Sequence, residues 1–153
     1  MEIQTDNEAD GYPFPCFSFD SNRCVTLNTA YTMSSNSGDV RCILGVLNSR
    51  LGKYLTKLYV TQLQERQFRM LAQYVTKFPI PRFSAETQKY LLHLVKDVLE
   101  NKSAESERAI DEYVEMLYGL NDSERIYIHQ EQGEYHFLKY LHNSSKFLYK
   151  TFP

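Results

Sequence analysis

The 153-residue sequence has no tryptophan, only six glycines and five prolines, and just three cysteines. No two glycines stand as Gly-x-Gly, which removes both the dinucleotide-binding fingerprint and the phosphate-cradling P-loop. There is no Pro-Pro, so the Asn-Pro-Pro-Tyr type of motif that holds a flipped base in amino-methyltransferases is absent. No serine sits in Gly-x-Ser-x-Gly, which leaves a hydrolase nucleophile without support. Cys16, Cys24 and Cys42 are odd in number and lack Cys-x-x-Cys spacing, so free thiols are expected rather than a disulfide framework or a zinc site. His93, His129, His136 and His142 fall in no paired ligand spacing, and neither a metal nor a cofactor is expected. No apolar run approaches the roughly 20 residues of a membrane span, and "MEIQTDNEAD" lacks the basic head and apolar stretch of a signal peptide. A cytoplasmic protein is the expectation.

What is present suffices for one domain over residues 1–153, since 42% of the residues are hydrophobic. The net charge of -2 conceals a division. Residues 1–39 carry six acids and one base, 40–90 carry nine bases and two acids, and 97–134 carry eleven acids and three bases. Phosphate contact depends on local potential, so the basic middle third is a candidate nucleic-acid surface. The same charges also fit solvated helix faces.

The pattern predicts an α+β chain, with short N-terminal antiparallel strands followed by a mainly helical region. Aromatic and β-branched runs at Phe17–Phe19, Cys24–Leu27 and Tyr31–Met33, separated by turn residues, predict two or three strands. From Val40 the period becomes helical, with Val40, Ile43, Leu44, Leu47, Leu51, Tyr54, Leu55 and Leu58 on one face. Arg50, Lys53 and Lys57 gather on one flank of that stripe and Arg41 lies on the other. "VTQLQERQFRMLAQYVTKFPIPRF" predicts a loop and then an extended segment, because Pro79 and Pro81 lack donors and push their predecessors out of helical geometry.

Ser84 is a candidate N-cap for a second helix ending near Lys102. A third follows Ser103, buries Ile110, Tyr113, Val114 and Leu117, and stops at Gly119. Asn121 with Glu124 marks a capping box for a fourth. The aromatic tail 131–153 is expected to be helical to Asn143. The one carboxylate constellation suited to metal-dependent hydrolysis, Asp97 with Glu100, Asn101 and Lys102, shares a helix end, where such neighbours ordinarily serve solubility.

"ILGVLNSRLGKYL" at 43–55, "YVTKFPIPRFSAETQKYLLHLVKDVLENK" at 74–102 and "IDEYVEMLYGLNDSERIYI" at 110–128 occur in that order. Together they resemble the TaqI-like C-terminal specificity domain of restriction-modification enzymes, which shows a Leu-Asn-Ser helix, a Pro-Ile-Pro turn into a helix and an "ID…LYGL" segment. "PCFSFDSNRCVTLNTAYTM" is similar to the strand and hairpin that precede them in that family. The likeness covers about residues 10–130, and the Pro-Ile-Pro segment also resembles the specificity subunits of type I systems. It implies DNA target recognition without catalysis: the methyltransferase and nuclease portions of whole members have no counterpart here. The implied partners are double-stranded DNA and a separate methyltransferase or restriction subunit. Arg41, Arg50, Lys53, Lys57, Arg66, Arg69, Lys77 and Arg82 would contact phosphates, and one or two of the arginines, or Gln62, Gln64 and Gln67, could read base edges. The alternative is a scaffold that docks onto such a partner, or a remnant of a split gene.

Overall fold

The structure is a computed structural model that describes residues 3–6, 14–26, 30–36, 38–64 and 66–132. In chain order these form β1 (Ile3–Thr5), α1 (Val40–Asn48), α2 (Arg50–Tyr59), β2 (Thr61–Gln64), β3 (Gln67–Arg69), α3 (Ala72–Val75), α4 (Ala85–Asn101), α5 (Ala104–Leu117) and α6 (Asp122–Gln132). The chain is α+β, with a short N-terminal strand in an antiparallel sheet and a helical bulk. The tail beyond Gln132, and with it the expected helix to Asn143, lies outside the described residues.

The helices follow from local chemistry. Side-chain oxygens of Asp39, Ser49, Ser84 and Ser103 accept backbone N–H groups in the first turns of α1, α2, α4 and α5. Asn121 and Glu124 exchange reciprocal bonds of 2.8 and 3.0 Å at the start of α6. Gly119 closes α5 with φ +68°, its N–H bonded to the Met116 carbonyl, a left-handed geometry that glycine adopts without strain. The core lies between α1, α4 and α5, where Cys42, Val46, Leu91, Val95, Val98, Ile110 and Val114 are buried. A methyl group on Gly45 would stand 2.9 Å from Val95, so a bare backbone lets α1 approach α4.

Two expectations are corrected. The stretch from Val40 is two helices rather than one, because Ser49 leaves helical geometry at φ -71° and ψ 167° and caps both. Its hydroxyl donates to the Val46 carbonyl at 2.7 Å and accepts from Gly52 N–H at 3.1 Å. A Cβ on Gly52 would meet the Val46 and Leu47 carbonyl oxygens at 2.3 and 2.4 Å, so the joint requires glycine. Leu58, expected in the buried stripe, is exposed past the bend.

The strands also lie elsewhere. Residues 17–19, 24–26 and 31–33 form no strand, and Leu27 is outside the described residues. Residues 14–24 fold instead as a strap. Phe14 is buried with its ring 4.7 Å from Phe68, Asn48 clamps both backbone groups of Phe17, and the Asp20 carboxylate ties down the N–H groups of Asn22 and Cys24. The sheet runs β1-β3-β2, so the segment expected to be loop and extended chain supplies a hairpin. Beyond it, the Pro-Ile-Pro strap is anchored by buried Phe78, whose ring lies 5.6 Å from Tyr59, and leads into α4.

Candidate nucleic-acid interface

The structure divides the eight predicted cations into two groups. Arg50 turns inward, its backbone N–H donating to Asp111 Oδ1 at 2.7 Å and its guanidinium meeting Asp111 Oδ2 at 3.3 Å and Glu115 Oε1 at 3.1 Å. His129 Nε2 on α6 stands 2.9 Å from the same Glu115 oxygen and 2.6 Å from Arg50 Nη1. Both carboxylates are buried. Burial raises the Asp111 carboxyl to about 6, against the opposing pull of Arg50, with Glu115 adding to the rise.

Lys53 and Lys57 share Asp6, at 3.3 and 2.7 Å. Burial alone would raise the Asp6 carboxyl; the hydrogen bond from Lys57 and the two lysine charges outweigh it and hold the group below its usual value. Arg41 forks onto Asp39 with bonds of 2.9 and 2.5 Å and lies 5.4 Å above the Phe19 ring. Four of the predicted phosphate contacts are thus held by carboxylates of the chain itself. Asp6, Asp111 and Glu115 are the residues sequence reasoning missed. The legible signal was the Asp111/Glu115 pair, spaced i, i+4 beside buried Ile110 and Val114, where an unpaired acid would be costly.

Arg66, Arg69, Lys77 and Arg82 are exposed. Arg66 takes the hairpin turn at φ +63° and donates from Nε to the Asp6 carbonyl, which joins the turn to the end of β1. Arg69 and Lys77 converge on Tyr74. The Tyr74 hydroxyl is lowered first by hydrogen bonds to Thr61 and Gln73 and then by the charges of Lys77 and Arg69, and Lys77 Nζ lies 5.8 Å from its ring. Arg82 follows Pro81 on the strap into α4.

The register also sorts the three glutamines. Ile3, Arg69 and Thr61 form one cross-strand row, Gln4, Phe68 and Gln62 the next, and Thr5, Gln67 and Gln64 the third. Successive rows point to opposite faces. The Phe68 row faces the strap, where the Gln4 amide bonds the backbone of Cys16 and Phe68 packs on Phe14. Gln64 and Gln67 belong with Arg69 and Thr61 on the outer face, and Gln62 does not.

The Asp97 constellation is part of a helix joint. Its carboxylate accepts from Asn101 at 2.7 Å and from Ser106 on α5 at 2.5 Å. Among the described residues no cluster of three His, Cys, Asp or Glu is arranged to hold a metal, and no helix is long and apolar enough to cross a membrane. Compared with known protein families the chain matches no family model, and no solved structure matches it.

Proposed function

We propose that the chain is a DNA target-recognition module of a restriction-modification system of type I or type IIG-like organisation, non-catalytic alone and working in the cytoplasm beside a methyltransferase or restriction subunit. The observation that carries this reading is the exposed cationic stretch Arg66, Arg69, Lys77 and Arg82, which runs from the hairpin turn to the strap into α4. The segments that carry the family likeness also bind one another, which supports their belonging to one unit. Asn48 of the Leu-Asn-Ser motif clamps Phe17 of the aromatic segment, and neighbouring Arg50 bonds Asp111 of the "IDEYVEMLYGL" segment.

Titration of the full chain with a random-sequence duplex at two salt concentrations tests the proposal. Four phosphate contacts give a slope of log K against log salt of about -3 to -4. Absence of binding at low salt, or binding indifferent to salt, sinks it. A second reading, a scaffold that docks onto the catalytic partner, is favoured by the exposed apolar side chains of Met116, Ile126 and Tyr127 on α5 and α6.

A further inference from the structure

We infer, resting on the recognition reading, that the outer face of the β1-β3-β2 sheet is the base-reading surface, with the Gln64–Gln67 pair contacting adenine edges and Arg69 and Lys77 gripping the flanking phosphates. The register places Gln64 directly across from Gln67, after a bulge at Leu63 that sets two residues of β2 against one of β3. Side chains so paired start about 5 Å apart, comparable to the 3.4 Å rise between stacked base pairs, so the two amides address neighbouring pairs.

A glutamine amide offers a donor and an acceptor in one plane, the complement of adenine N7 and N6 in the major groove. The groove, about 12 Å wide, admits a two-stranded ribbon with strands about 5 Å apart. β3 is the central strand, flanked by β1, so the part of the sheet that would enter the groove is the β2 edge, whose residues Thr61 to Gln64 are all exposed.

Arg69 and Lys77 bring positive charge to one end of this face. Arg69 lies in the row next but one to the glutamines, across from Thr61, and the Tyr74 hydroxyl bonded to Thr61 brings Lys77 to the same end. The nearest described carboxylate along β1, Asp6, is committed to Lys53 and Lys57. Helix α2 then acts as the platform that fixes the sheet through Asp6, and its cations make no phosphate contact.

The test uses the full chain and a library of duplexes with a randomised core, retained duplexes being sequenced and affinities measured by anisotropy. The wild-type chain is expected to enrich a motif containing adenine. Gln64→Ala with Gln67→Ala should keep random-duplex affinity within about twofold while losing tenfold or more of the discrimination at one or two positions. Arg69→Gln with Lys77→Gln should weaken binding to all sequences alike and reduce the salt slope by roughly 2. An unchanged enriched motif in the double glutamine variant overturns the inference and leaves the recognition reading intact. Failure of the wild-type chain to bind any duplex overturns the recognition reading and this inference with it. Where the glutamine variant unfolds, hydrogen exchange of the wild-type chain decides: protection of residues 61–69 by DNA supports the assignment, and protection confined to other segments overturns it.

Discussion

Ser49 carries two helices on one hydroxyl, and the residues around it show how little freedom the joint leaves. Gly52→Ala would drive a methyl group into two backbone oxygens, which have no rotamer to escape into. The expected cost is about 3 kcal/mol, near the top of the overpacking range, and the urea midpoint reads it. Arg50→Gln should cost roughly 3 kcal/mol as well, because it strips the guanidinium from two buried carboxylates. On the proposed recognition reading, a loss of DNA binding in that variant would therefore report unfolding unless stability is measured alongside. Tyr118 points the other way. Its hydroxyl is buried with no hydrogen-bond partner among the described residues, and burial pushes it up to about 12. Tyr118→Phe is expected to leave stability unchanged or raise it by about 1 kcal/mol, and a clear loss would refute the orphaned-hydroxyl assignment. The caps at Ser84 and Asn121 were legible in the sequence because their partners lie three residues away. The inward turn of Arg50 was not, since Asp111 and Glu115 lie 61 and 65 residues further on.

Among the elements, α4, α5 and α6 emerged close to their expected limits, because a start signal and the apolar positions that follow are written within a few residues, with Gly119 adding a stop to α5. The strands resisted prediction for the opposite reason. β1 is three residues long and pairs with β3 more than sixty residues away, so no local pattern announces it. The runs Phe17–Phe19 and Tyr31–Met33 have suitable propensity but no partner edge, and Asn48 holds the backbone of Phe17 in place of a ladder. Helix α6 depends most on its own start. Its capping box is exposed, and among the described side chains of α6 only Ile128 joins the buried hydrophobic core. Asn121→Ala should cost about 1 kcal/mol and show first as lost hydrogen-exchange protection across residues 122–132, with α4 unaffected.

For the whole molecule, two carboxylates make stability depend on pH with opposite signs in separate windows. Asp111 titrates at about 6 when folded and near 3.8 when unfolded, so between those values the folded chain holds more protons and stability falls as pH rises. Asp6 is depressed below 3.8, so its contribution is present above that value and disappears as the solution is acidified through its lowered one. Asp111→Asn keeps an oxygen for the Arg50 N–H and should flatten the dependence between pH 4 and 6, where the wild-type change is on the order of 3 kcal/mol. Chemical denaturation at several pH values checks this, and an unaltered slope in the variant would place the titrating group elsewhere. The link between Asp6 and α2 also bears on how deletion experiments are read. Trimming the first six residues takes away the counter-ion that Lys53 and Lys57 share and the carbonyl that Arg66 holds. On the proposed recognition reading, a shortened chain would carry surplus charge and lack the strand that flanks β3, so a change in DNA retention after such a cut would not by itself map a reading surface.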